Sequence, residues 1–212
     1  MTLFFAVRHG ETEGNKNKIY RGRWDLPLNE AGHEQVERAG KALGGIDLDA
    51  IYHSPLERTR QTAAAVARWQ EVEPVPQDFL IDIDYGAWTK APDSQVAGSQ
   101  PELYRQWKES PGKVVFPDGE GLGDVRARVE PGLVRLAEKH PGQKVALCGH
   151  RVSVKMILLI ALGLPDASFW RVQVDTASIS LLEHRAAGFK LVFANETSHL
   201  KSLADKLGTG DF

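Results

Sequence analysis

The sequence predicts an α/β fold, a three-layer α/β/α sandwich around a mostly parallel sheet with a small inserted cap region. Three observations carry this. The run Leu3–Val7 is continuously apolar and ends in charge, which suits a strand buried on both faces of a parallel sheet. Longer segments between such runs place apolar residues at helical spacing. The two kinds of segment interleave along most of the chain, the order that covers a sheet with helices on both faces.

In order, Leu3–Val7 is the first strand. Glu30–Leu43 is a helix, with Ala31, Val36, Ala39 and Leu43 at helical spacing and Gly44-Gly45 closing it. Ala50–His53 is a short strand, and Glu57–Trp69 a helix with Ala63, Val66 and Ala67 on one face. Phe79–Ile83 reads as another strand. Residues 87–118 hold Pro92, Pro101, Pro111 and Pro117 with weak periodicity and read as the inserted cap. Leu122–His140 is a long amphipathic helix and Lys144–Cys148 a strand. Val152–Leu162 is a helix stopped by Gly163 and Pro165. Arg171–Val174, Ser178–His184 and Phe189–Ala194 alternate like strands, with Ala187-Gly188 as a turn.

At 212 residues the chain is expected to be a single domain, 1–212, carrying the cap. Its 42% hydrophobic and 25% charged residues are ordinary for a globular protein. Cys148 is the one cysteine, so no internal disulfide forms and a reducing compartment is the default. A net charge of -2 gives no reason to expect nucleic acid or an anionic membrane as partner. The first apolar run has no basic segment before it and is cut by charge, unlike a signal peptide. The stretch Met156–Leu162 is far shorter than the roughly 18–20 residues that span a bilayer. A cytoplasmic protein is expected, and a homo-oligomer is left open. Any anion site must be a local cluster of Arg and His.

Four segments offer such chemistry. Arg8-His9-Gly10-Glu11-Thr12 follows the first strand directly, where open α/β sheets place ligands. An imidazole there can attack phosphorus while the adjacent guanidinium holds the equatorial oxygens. The run from Tyr52 to Ala63 again follows a strand and opens a helix, with Arg58 the better candidate to face a site and Arg60 a solvated surface residue. Cys148-Gly149-His150-Arg151 follows a third strand, and His150 is either a satisfied core histidine or a second imidazole toward phosphate. Asp82-Ile83-Asp84-Tyr85-Gly86 offers a carboxyl group able to act as general acid and then base. Strand alternation would put Asp82 and Asp84 on one face. Cys148 itself reads as a buried, inert thiol.

Arg8-His9-Gly10-Glu11-Thr12 with Asn15, Ser54-Pro55-Leu56 with Arg58 and Gln61-Thr62-Ala63, and the late His150 together resemble the histidine phosphatase superfamily, the phosphoglycerate mutase-like proteins, over essentially the whole chain. The resemblance implies a nucleophilic His9, a phosphate pocket of Arg8, Asn15, Arg58 and His150, a proton donor at Asp82, and no metal. Gly22 and Arg151 are added to the substrate-binding set, and Glu120 is expected at the site mouth. Phosphoryl transfer is mostly positioning and electrostatic stabilisation, which two arginines and a second imidazole can supply. The expected activity is a metal-independent phosphomonoesterase, without cofactor, working through a phosphohistidine on a small phosphorylated metabolite.

Three positions depart from the family pattern: Asp82 stands where glutamate is usual, Arg151 where glycine is usual, and Trp88-Thr89-Lys90 where tryptophan, an acid and glycine are usual. Arg151, if it faces the pocket mouth, would select a phosphomonoester that also bears a carboxylate. The alternatives are a cofactor-dependent phosphoglycerate mutase, which must shield its phosphoenzyme from water, and a non-catalytic phosphate-binding regulatory protein. The short insert favours the hydrolase. Within the phosphatases, Ile81–Gly86 and Val172–Leu200 look most like the metal-independent phosphoserine phosphatases. A magnesium-dependent phosphatase of the haloacid dehalogenase type is disfavoured, because its aspartate motif would lie mid-chain.

Overall fold

A computed structural model describes residues 1–200; residues 201–212, the end of the expected domain, lie outside the described residues. One six-stranded sheet runs through the molecule in the order β3-β2-β4-β1-β5-β6. Its strands are β1 (Thr2–Arg8), β2 (Ala50–His53), β3 (Pro74–Pro76), β4 (Lys144–Gly149), β5 (Ile179–Arg185) and β6 (Gly188–Glu196). The pairs β1–β4, β4–β2 and β2–β3 are parallel; β1–β5 and the hairpin β5–β6 are antiparallel. The helices are α1 (Glu13–Lys16), α2 (Glu30–Leu43), α3 (Glu57–Ala67), α4 (Asp93–Ser99), α5 (Pro101–Glu109), α6 (Leu122–Lys139) and α7 (Arg151–Ala161).

The apolar strands bury both faces, as their continuous hydrophobicity requires. On β1, Phe4 and Ala6 join one core with Leu133 of α6 and Ile157 of α7; Phe5 and Val7 join another with Val36 of α2 and Val66 of α3. The same alternation divides Leu147 from Cys148 on β4 and Tyr52 from Ile51 on β2. The result is helix, sheet, helix. The inserted segment does not build a core of its own: Trp88, Trp107 and Phe116 pack into the α6–α7 side, with Trp107 and Phe116 edge-on at 5.1 Å.

Register decides where the loops meet. Arg8 pairs with Gly149 and His53 with Cys148, so the carboxyl ends of β1, β4 and β2 finish side by side. The His9 amide bonds Gly149 O at 3.0 Å and the Ser54 amide bonds Cys148 O at 3.1 Å. Three loops thus leave the sheet together. Gly10 is required for this: a Cβ there would lie 2.5 Å from the Gly32 carbonyl oxygen of α2.

Two expected strands are absent. Residues 79–83 form a short 3-10 turn at Asp78–Leu80 and then an extended stretch outside the sheet. The sheet ends one element earlier, at β3, whose Pro74 and Pro76 lack the amides that a central strand needs. Phe79 instead packs over Gly132 of α6. Apolar residues there signal burial without a ladder. Likewise Asp166–Arg171 is 3-10 and residues 172–174 pair with no strand. Among the described residues no helix is long and apolar enough to cross a membrane.

Candidate active site

The loop after β1 carries the first histidine. His9 is buried, and its Nδ1 lies 2.6 Å from Gly10 O. A carbonyl can only accept, so Nδ1 holds the proton and Nε2 keeps a lone pair. Burial first, then the positive charges of Arg58, Arg8 and Arg21, hold its pKa well below the ordinary 6.5. His9 is therefore a neutral imidazole at neutral pH, the form that can attack an electrophile.

Thr12 caps α1, and the same turn orients Asn15. The Asn15 Oδ1 accepts from Thr12 N at 3.1 Å and from Thr12 Oγ1 at 2.9 Å. With its oxygen committed, the buried Nδ2 has no hydrogen-bond partner among the described residues. An unmatched buried donor costs about 1–3 kcal/mol, which an anionic acceptor would recover. Arg8 is fully buried and donates to Val174 O at 2.7 Å, across from the β1 end.

The loop after β2 and the start of α3 bring Arg58. Its guanidinium donates through Nε to His150 Nδ1 at 3.1 Å and through Nη2 to Gly22 O at 2.7 Å and Asp82 Oδ2 at 3.3 Å. Gly22 adopts φ +50°, and a Cβ there would meet Ile83 O at 2.8 Å, so glycine is required at this turn. The loop after β4 brings His150, whose ring centroid lies 5.3 Å from that of His9. Burial and then Arg58 push its pKa well below 6.5.

Asp82 and Asp84 do not share one environment, because the stretch is not a strand. Asp82 is buried, 3.3 Å from Arg58 and 3.8 Å from His150 Nδ1. Asp84 is half-buried, caps Gly86 N at 2.9 Å and lies 3.9 Å from Arg23. Glu120, expected at the site mouth, binds Arg23 at 2.7 Å, Arg128 at 2.9 Å and Asp84 N at 3.0 Å. Arg128 in turn donates to the carbonyls of Ile81 and Asp82, both at 3.1 Å. The acid is thus held by its backbone as well as by Arg58.

The structure brings His9, Arg8, Asn15, Gly22, Arg58, Asp82 and His150 to one end of the sheet. Arg151 opens α7 and lines a cleft there with Arg21, Gly22, Asp82 and Tyr85. Sequence reasoning missed Arg21, Ser54, Tyr85 and Arg128. Ser54 pairs with His150 Nε2 at 2.8 Å, and in the sequence it stands only within the Ser54-Pro55-Leu56 run. Arg21 precedes Gly22 in a loop without periodicity, so nothing short of the turn geometry places it. Cys148 is buried on the α2–α3 face, and burial pushes its thiol up to about 12, which makes it inert.

The chain resembles known proteins over nearly its whole length. The family model described as "Histidine phosphatase superfamily (branch 1)" matches residues 4–197. The chain is 34% identical over 200 residues to Phosphoserine phosphatase 1 of Hydrogenobacter thermophilus, covering 94% of this chain and 95% of that one. It is 35% identical to the bifunctional protein Rv2228c of Mycobacterium tuberculosis, with 94% of this chain aligned but only 55% of that longer protein. Among solved structures, YhfR of Bacillus stearothermophilus superposes with a TM-score of 0.90 at 26% identity, over 95% of this chain and 100% of that one.

Proposed function

The chain belongs to the histidine phosphatase superfamily, and on that premise we propose that this phosphatase hydrolyses a small phosphomonoester through a phosphohistidine on His9, without a metal. The observation that carries the reading is the state of His9: neutral, with Nδ1–H fixed on Gly10 O and Nε2 available, 5.3 Å from His150.

In the first step Nε2 of His9 attacks phosphorus, the N–P bond forms and the P–O bond to the leaving alcohol breaks. Arg8, Arg58 and the Asn15 Nδ2 hold the equatorial oxygens, where charge accumulates. Asp82 gives a proton to the leaving oxygen. Arg58, 3.3 Å from Asp82, holds the carboxyl group beside the phosphoryl site, where it meets the leaving oxygen. In the second step water attacks phosphorus, its proton goes to the Asp82 carboxylate, and the N–P bond breaks to release phosphate.

The relative named phosphoserine phosphatase supports a small phosphorylated metabolite as substrate. A cytoplasmic location and a single domain fit this reading. A screen of phosphomonoesters by phosphate release, ranked by kcat/KM, tests it. Transfer to a second acceptor without net phosphate release would instead indicate a mutase, and binding of phosphate esters without either reaction would indicate a regulatory protein.

A further inference from the structure

The turn at residues 174–178, which leads into β5, grips the loop that carries the nucleophile. Val174 O accepts from Arg8 Nη1 at 2.7 Å, and Ser178 O accepts from the Arg8 amide at 3.2 Å. The Ala177 amide donates to His9 O at 3.1 Å, while the His9 amide donates to Gly149 O at 3.0 Å. Both peptide groups that flank the His9 Cα are therefore tied, one to the end of β4 and the other to this turn.

Ala177 stands at φ +52°, a left-handed conformation that costs a residue with a Cβ about 1–2 kcal/mol. Such a residue persists only where its surroundings over-determine it. Part of that restraint comes from His199, whose Nε2 lies 3.0 Å from Ala177 O. A carbonyl only accepts, so Nε2 carries a proton. The Glu196 carboxylate lies 3.3 Å from Nδ1 and holds the ring from its other edge. The His199 side chain is 8% exposed, and its segment is anchored on both sides. Asn195 is joined to Asp175 by two hydrogen bonds, of 2.7 and 2.9 Å. Leu200 packs against the α2–α3 core, and its carbonyl accepts from Arg38 at 2.9 Å.

We propose that His199 is a positioning residue for the nucleophile: through Ala177 it fixes the His9 backbone, and with it the line along which Nε2 meets phosphorus. This rests on the phosphatase reading above. His199 acts at one remove from the reacting atoms. Its bond to Ala177 O and the bond from Ala177 N to His9 O run in series. Losing the first lets a strained residue relax toward an ordinary φ and withdraw its amide from His9. A reacting group displaced by about 1 Å can lose roughly a hundredfold in rate.

The test is single-turnover release of 4-nitrophenol from 4-nitrophenyl phosphate, which reads the attack of His9 on an ester that needs no proton from Asp82. His199→Gln keeps a donor at the reach of Nε2, whereas His199→Asn is one bond too short and His199→Leu has none. The Asn and Leu variants should lose at least about tenfold in the single-turnover rate, with the half-saturating concentration within about twofold of wild type, and Gln should stay within about threefold of the wild-type rate. Wild-type rates in Asn and Leu, a Gln variant as slow as Asn, or a loss confined to half-saturation would overturn the role and leave the phosphatase standing. In the wild-type enzyme the Ala177 amide should exchange slowly with deuterated solvent; exchange at the rate of an exposed loop amide would overturn the role even if a variant fails to fold. No 4-nitrophenol release by the wild type would instead remove the phosphatase reading, and this role with it.

Discussion

Arg58 Nε donates to His150 Nδ1 across 3.1 Å. A guanidinium has no acceptor, so His150 Nδ1 carries the lone pair and the ring proton sits on Nε2, which donates to Ser54 Oγ at 2.8 Å. The same guanidinium binds the Gly22 carbonyl and Asp82. One buried side chain therefore fixes the tautomer of the second histidine, the turn at Gly22 and the position of the acid.

Arg58→Met should destabilise the fold by about 3–5 kcal/mol, because it strands the buried Asp82 carboxylate. Adding Asp82→Asn should recover part of that loss, since the stranded charge is gone. Denaturant unfolding of the two single variants and the double variant measures the coupling; strictly additive losses would show that the pair is not coupled.

Asp82→Asn should slow esters with poor leaving groups far more than activated aryl phosphates, since only the former need a proton from the acid. Asp84→Asn should leave that ratio near the wild-type value, because its carboxylate is engaged with Gly86 N and Arg23. The selective loss appearing in Asp84→Asn instead would reverse the assignment.

Turnover should survive excess EDTA, because Arg8, Arg58 and the Asn15 amide supply the stabilisation that a cation otherwise gives. Activity lost on chelation and restored by Mg²⁺ would require a different nucleophile, with Asp82 the first to examine.

Stability of the free enzyme should fall on acidification. His9 and His150 are held well below 6.5 in the fold, while in the unfolded chain they titrate near that value. Between the two the unfolded state binds more protons, so stability is complete above about pH 6.5 and is lost as pH falls toward the folded values. Unfolding free energies measured from pH 7.5 downward should show a shallower decline in His9→Gln and His150→Gln. An unchanged slope in both would place the acid sensitivity elsewhere.

Much of this was legible because register follows from apolar runs. Leu3–Val7, Ala50–His53 and Lys144–Cys148 were readable as strands, and parallel pairing alone brings His9, Ser54 and His150 to one edge. What periodicity could not supply was the path of irregular chain. Phe79–Ile83 has the composition of a strand but packs on α6, so the expectation that Asp82 and Asp84 share a face failed with it. Arg21, Tyr85 and Arg128 reach the site through turns and long side chains, and their sequence neighbours carry no signal of that reach. In the sequence Arg151 stands out only as a departure from a family pattern; its neighbour Trp170 comes from a separate segment.

The most direct measurement is a rapid quench of the wild-type enzyme with ³²P-labelled substrate, followed by peptide mapping under alkaline conditions. Phosphorus should be found on the peptide containing His9, as an acid-labile, base-stable adduct that forms and decays fast enough to account for turnover, and His9→Ala should form none and be inactive while remaining folded. Label on another residue, or full turnover by His9→Ala, would contradict the account.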